Sequence, residues 1–125
     1  GLTKEITSKH DKGENKTIWI IGAIDSLQKA IIQADFLNID TTKEKLEIVN
    51  NRPYFTMDFL VVAHGLKGFK NFGNLEFRTE RKKLFDRELD IVPEDILLKI
   101  PLEVIQELSS VIWTDNHVDK ELEKN

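Results

Sequence analysis

The chain has 125 residues, of which 40% are hydrophobic and 32% are charged, a balance typical of one soluble globular domain. It contains no cysteine, which excludes disulfides, thiolate metal ligands and a cysteine nucleophile. Its net charge of −4 argues against bulk nucleic-acid binding, and its longest apolar runs, such as residues 59–63, are too short to span a bilayer. We therefore expect a small domain that is stabilised by packing and does not associate with a membrane.

The first third of the chain predicts an arm, a strand and a helix. Residues 1–16 are polar and predict a flexible N-terminal arm that orders against a partner. Residues 17–22, TIWIIG, are β-branched and aromatic and predict a strand buried on both faces. Asp25 or Ser26 offers an N-cap to the following helix. Its apolar stripe would consist of Leu27, Ala30, Ile31, Ala34 and Leu37.

The middle of the chain predicts a second strand and a second helix. Residues 45–49, KLEIV, are the strand candidate. Asn50 or Asn51 can cap the helix, with Pro53 in its first turn, where a missing N–H does no harm. Gly65 follows the last apolar residues of this helix, and we expect it to end the helix in a left-handed conformation.

The last third predicts a hairpin and then helices. Residues 74–89 alternate in character and predict a hairpin or a single edge strand. Pro93 and Pro101 each stand at the start of a helix. The second of these helices would bury Leu102, Ile105, Leu108 or Ser109, and Ile112. Residues 114–125 predict an acidic tail or a short helix.

These elements together predict the fold class. We expect a small α+β domain over residues 17–113, with a short mixed sheet of two to four strands and a C-terminal helical region. Trp19 and Trp113 are the largest apolar side chains, and one or both should lie in the core. An exposed Trp113 would instead be an anchor for a partner.

Residues 64–74, HGLKGFKNFGN, are rich in glycine. A phosphate-binding loop usually opens a helix and carries Ser or Thr after its lysine, whereas here no Ser or Thr follows Lys67 or Lys70. We therefore reject nucleotide binding and expect a structural corner, with phenylalanines pinning the loop to the core and glycines permitting turns. Its members are Gly65, Gly68, Phe69, Phe72 and Gly73.

Charge is distributed unevenly along the second half of the chain. Residues 66–87 carry seven Lys/Arg and three Asp/Glu, whereas residues 88–125 carry three Lys/Arg and ten Asp/Glu. The ordinary interpretation of this asymmetry is two solvated faces. The more specific interpretation is a basic patch that contacts an acidic patch on a neighbouring copy of the protein. The candidate interface residues are Lys67, Lys70, Arg78, Arg81, Lys82, Lys83 and Trp113. The same cations interleave with phenylalanines, which would also suit a nucleic-acid platform, although core packing is the preferred role of those rings.

The sequence offers no catalytic constellation. His64 is expected to be a cation beside helix C-terminal carbonyls. His117 and Glu121 are four residues apart but make a poor metal site, and Asp25 and Asp35 are too far apart to act as a carboxylate pair. We predict no catalytic residue, no metal and no cofactor, and a protein that is not an enzyme.

Three segments resemble proteins of tailed bacteriophages. GLTKEITSKHDKGENKTIWIIGAIDSLQKAIIQADF is similar to the opening of small proteins encoded among phage structural genes. VVAHGLKGFKNFGNLEF and VPEDILLKIPLEVIQELSSVIWTDN resemble the later segments of the same proteins, in the same order. Phe69 stands where a tryptophan is commoner in them, and the loop after Asn71 is shorter.

The resemblance implies a virion structural or assembly protein that acts through contacts with other phage proteins or with copies of itself. It would then be found in the virion or in the host cytoplasm during assembly. One alternative is a transient tail-assembly chaperone that is absent from the mature particle. A second alternative is a small nucleic-acid-binding regulator that uses the basic segment 67–83, although nucleic acid is the less favoured partner.

Overall fold

The computed structural model describes residues 2–42, 56–84 and 86–115. These ranges contain five strands and four helices, so the predicted α+β class with a C-terminal helix is confirmed. In chain order they are β1 (Thr3–Thr7), β2 (Ile18–Gly22), α1 (Ser26–Thr42), α2 (Met57–Gly65), β3 (Leu66–Lys70), β4 (Glu80–Leu84), β5 (Arg87–Ile91), α3 (Glu94–Leu97) and α4 (Leu102–Thr114).

The strands form two separate antiparallel sheets where the sequence predicted one mixed sheet. In the first, β2 lies between β1 and β3. The second is the hairpin of β4 and β5, whose ends Leu84 and Arg87 pair across a two-residue connection. Such short turns join antiparallel strands, whereas a parallel pair needs a long crossover. The predicted hairpin is confirmed, and so is the strand that became β2.

The predicted flexible arm is wrong for Thr3–Thr7, which form the edge strand β1. Its side chains alternate between exposed and half-buried along its length. Ile6 lies opposite Trp19 of β2 and packs on the core side, while the residues on either side of it face solvent. A strand with one apolar residue in five lacks the hydrophobic signal on which the sequence prediction depended.

The start of α1 confirms Asp25 as its N-cap. The Gln28 N–H donates to Asp25 Oδ1 at 2.8 Å, and the Asp25 N–H donates to Gln28 Oε1 at 3.2 Å. This reciprocal pair satisfies two of the backbone donors left free at a helix start. The predicted stripe is wrong for Leu27 and Ala30, which are exposed; the buried residues of this helix include Ile31 and Ile32.

Helix α2 lies at the centre of the core and packs against α4. Its residues from Phe59 onward are buried except for the half-buried Leu60. Gly65 ends the helix as predicted, but it does not adopt a left-handed backbone. A Cβ atom at Gly65 would lie 2.8 Å from Cδ1 of Ile112 and closer still to its Cγ2. The glycine therefore permits the close approach of α4, because any side chain would collide with it.

The prolines mark the starts of the last two helices as predicted. Pro93 is the N-cap of α3 and Pro101 the N-cap of α4. The predicted core positions of α4 are confirmed by the burial of Ile105, Leu108, Ser109 and Ile112, but Leu102 is wrong, since it is exposed.

Several predictions lie outside the described residues. They are the strand at residues 45–49, the caps Asn50 and Asn51, Pro53, the side chain of Leu37, and the C-terminal residues from 116 onward, including His117 and Glu121.

Candidate interaction surface

The glycine-rich corner connects α2 directly to β3. The Leu66 N–H donates to the Val62 carbonyl, so the last helical turn leads straight into the strand. Gly68 lies within β3 opposite Ile20, so its predicted role in a turn is wrong; a Cβ there would lie 3.2 Å from Cδ1 of Ile20. Gly73 has φ of 56° and forms the turn after β3, as predicted.

The aromatic residues of this corner pack on one another and on Trp19. The Phe69 and Phe72 centroids lie 6.0 and 5.0 Å from that of Trp19, and the two phenylalanines are 5.2 Å apart. Phe77 joins the cluster edge-on, 5.4 Å from Phe69. These contacts confirm that Phe69 and Phe72 pin the corner to the core. Because the rings contact each other, they form an internal cluster and not an open row of ring faces.

Lys67 binds the end of α2. Its Nζ donates to the His64 carbonyl at 3.0 Å, where a cation interacts well with the free carbonyls of a helix end. Its aliphatic stem lies over Gly22, where a Cβ would be 3.2 Å from Lys67 Cε. Burial lowers the pKa of Lys67, and the nearby Asp90 carboxylate opposes this. Lys67 therefore contacts its own chain and is not a free cation for a partner.

His64 is buried, with only 4% of its surface exposed, and its side-chain Nδ1 has no hydrogen-bond partner in the part of the chain that the structure describes. Burial, together with the smaller effects of the Lys67 and Lys82 charges, lowers the pKa of His64 to about 4. The imidazole is therefore neutral at neutral pH, and the predicted cation is wrong. Lys67 supplies the positive charge at this helix end instead.

The hairpin of β4 and β5 carries the most exposed of the five described strands. The first four residues of β4 are exposed and Leu84 is half-buried. Within the described ranges β4 pairs only with β5, so its other edge has no neighbouring strand. The attachment to the core runs through β5: Ile91 is buried, and the Val92 N–H donates to the Ala63 carbonyl at 3.0 Å.

Acidic residues of β5 pair with the cations of β4. Arg81 Nε lies 2.9 Å from Asp90 Oδ1, and Arg81 Nη1 donates to Glu88 Oε2 at 3.2 Å. Lys83 lies 4.0 Å from the carboxylate of the fully exposed Asp86. No ion pair of Lys82 occurs among the described residues. Lys82 and Lys83 are therefore the cations of β4 that are least committed to the chain itself.

Other candidate cations form ion pairs with acidic residues that are far from them in the sequence. Arg78 makes two hydrogen bonds to the Asp95 carboxylate, at 2.8 and 2.9 Å. Lys70 lies 3.3 Å from Glu5 across the first sheet. The basic segment and the acidic segment that follows it thus meet within one chain, which accounts for part of the charge asymmetry without a neighbouring copy.

Sequence reasoning missed the ion pair of Arg87 with Asp25, which connects the hairpin to α1. Two hydrogen bonds of 3.2 and 2.7 Å join the guanidinium to the carboxylate. This contact holds the pKa of Asp25 below its usual range. The two residues are 62 positions apart, and only the N-cap role of Asp25 had a signal in the sequence.

Trp113 is half-buried, packs against the core, and lies beneath Lys29, whose Nζ is 5.2 Å from the ring centroid. It is therefore neither a free anchor nor fully buried, whereas Trp19 is a core residue as predicted. Beside Trp113 lies an open groove of about 370 Å³. It is lined by Met57, Asp58, Val61, Ser109, Ser110, Trp113 and Thr114.

Comparison with known proteins adds no relative: no family model, no curated protein and no solved structure matches the chain. In the described ranges, no group of three or more His, Cys, Asp or Glu residues is placed to hold a metal ion. None of the helices described is long and apolar enough to cross a membrane.

Proposed function

We propose that this chain is a non-enzymatic protein of bacteriophage particle assembly that works through protein–protein contacts. The observation that carries the proposal is the hairpin of β4 and β5, which presents a basic strand with four exposed residues and an edge that no other described strand pairs with. An unpaired strand edge is a template for pairing with another chain, and charged side chains along it restrict which chains can pair. The phage context rests on the sequence resemblance alone.

The rest of the molecule suits a protein that presents such a surface. The hairpin is fixed to the core by the Arg87–Asp25 pair and by the backbone bond from Val92 to Ala63. A surface held in one orientation loses little freedom when a partner binds. The Arg78–Asp95 pair fixes the segment that leads into β4 in the same way.

Nucleic-acid binding by segment 67–83 receives less support from the same geometry. Residues 80–91 contain four Lys/Arg and four Asp/Glu, so the hairpin has no net charge. A phosphate backbone that approached Arg81 would also meet Glu88 and Asp90. Since affinity for nucleic acid depends on an excess of cations at the contact, we favour a protein partner.

Quantitative mass spectrometry tests the proposal. The chain is measured in purified phage particles and in the lysate of infected cells, with a known capsid protein and a known non-structural protein as references. We expect a fixed number of copies per particle. Abundance in the lysate with none in the particle would instead favour the chaperone alternative, and absence of the chain from infected cells would refute a role in assembly.

A further inference from the structure

The edge of β4 that no other described strand pairs with suggests a binding site whose partner can be described chemically. We propose that β4 binds an acidic, extended segment of another protein, which adds to the hairpin as a third strand. This inference rests on the proposed function, since it names the partner of the same surface.

The first argument is the state of the hairpin. β5 is attached to the core, whereas the described pairing of β4 is with β5 alone, so a third strand would give β4 a second neighbour. Every second residue of an edge strand directs its backbone N–H and C=O groups outward, and in β4 no described strand receives them. The exposed side chains of β4 leave this edge open to an incoming backbone.

The second argument is charge. β4 carries Arg81, Lys82 and Lys83 against Glu80, an excess of two positive charges over five residues. Arg81 is bound by two acids of β5, whereas Lys83 has one carboxylate at 4.0 Å and Lys82 has no ion pair among the described residues. Opposite charges across neighbouring strands stabilise a sheet, and like charges destabilise it.

The third argument is the strand that β4 already binds. On β5, Glu88 lies opposite Lys83 and Asp90 lies opposite Arg81, so acids occupy alternate positions. This pairing shows which pattern the side chains of β4 accept from a neighbouring strand. In the partner we therefore expect acids at alternate positions, one of them opposite Lys83, which lies on the same face of β4 as Arg81.

The charge pattern also argues against a second copy as the partner. Two β4 strands paired antiparallel about Lys82 would place Lys82 against Lys82 and Arg81 against Lys83. Like charges directly opposite each other are unfavourable, and charged edges of this kind prevent self-association.

The probe for the experiment is a synthetic peptide of about nine residues that alternates glutamate and threonine, a typical strand length. Its binding to the full chain is followed by fluorescence anisotropy and by NMR shifts of backbone amides. We expect binding that weakens as salt rises, with the largest shifts in β4. A lysine–threonine peptide should not bind.

Two controls separate strand addition from simple charge attraction. A peptide of the same sequence with N-methyl groups on alternate amides cannot pair, so it should lose binding. The double variant Lys82→Glu, Lys83→Glu should weaken binding about tenfold or more. The matched variant Lys12→Glu, Lys99→Glu changes the net charge equally at two exposed lysines elsewhere and should keep most of the affinity.

Circular dichroism checks that each variant is folded, and Lys82→Gln, Lys83→Gln replaces the first double variant if it is not. Equal binding of the N-methylated peptide, or shifts in β1 in place of β4, would overturn the inference. So would dimerisation of the chain through β4, or a preference of β4 for a single-stranded oligonucleotide. Loss of peptide binding together with incorporation of the chain into particles would refute this inference and leave the proposed function standing.

Discussion

At the scale of single residues, two opposing effects determine the protonation state of His64: its position at a helix end and its burial. The end of α2 favours a cation. Burial opposes one, because an imidazolium without water or a carboxylate partner is costly. Lys67 and Lys82 oppose it as well, and burial is the larger effect. The ammonium group of Lys67 stabilises the helix end instead, because its longer side chain reaches the His64 carbonyl from the surface.

This buried imidazole predicts that acid destabilises the fold. Its pKa falls from 6.5 to about 4 on folding, so the unfolded chain binds more protons between these values. The contribution of His64 to stability is complete above pH 6.5 and is lost as pH falls toward 4. Between pH 7 and pH 5 we expect the free energy of unfolding to fall by about 2 kcal/mol on account of His64. Urea unfolding at each pH measures it.

The control for this prediction is His64→Gln, which removes the titrating group and keeps a neutral polar side chain. The absolute stability of the variant does not affect the comparison, because the measured quantity is the change in the free energy of unfolding with pH. The variant should lose about 2 kcal/mol less than the wild type between the same two pH values. Equal pH dependence in both proteins would show that His64 is not responsible.

At the scale of elements, the packing of α2 on α4 depends on one glycine. The Gly65→Ala variant places a methyl group against Ile112, which is fully buried and cannot move into solvent. We expect a loss of about 1–3 kcal/mol, the usual range for overpacking a core. Thermal or urea unfolding measures it. Gly13→Ala is the matched control, because the nearest atom to its Cβ is Asp11 Oδ1 at an ordinary 3.6 Å.

A double-mutant cycle with Ile112→Ala identifies the cause of that loss. Ile112→Ala alone should be destabilising, since it leaves a cavity. Once the isoleucine is absent, however, Gly65→Ala should cost much less than in the wild type. Additive losses would mean that the strain at Gly65 comes from another contact.

The elements also show where sequence patterns are sufficient and where they fail. The apolar run of β2, the helix starts at Asp25, Pro93 and Pro101 and the hairpin could all be predicted, because each depends on local chemistry. The buried face of α1 could not be predicted, because Leu27 fits an apolar helical stripe as well as the isoleucines do, yet it is exposed. The position of Gly65 at a helix end was predicted correctly. The need for a glycine there, however, comes from the close contact with Ile112, which is 47 positions away.

At the scale of the whole molecule, folding brings together charges that the sequence keeps apart. The cations of the candidate surface could be identified from the sequence. The acids that bind Arg78, Arg81 and Arg87 could not, because each pair depends on the register of a strand or on contacts between elements. Knowing those pairs reduces the candidate surface from a basic segment of the chain to β4, whose outer edge pairs with no other described strand.

The two sheets should differ in local stability. The first sheet covers the core with Trp19 and Ile21 of β2, whereas β4 has no buried residue and the buried Ile91 lies on its neighbour β5. Strands with few buried contacts open with less free energy than core strands. We therefore expect amide hydrogen exchange to be slowest in β2 and α2 and at least about tenfold faster in β4. Exchange followed by NMR on the full chain measures this. Equal protection of β2 and β4 would mean that the hairpin opens only with global unfolding.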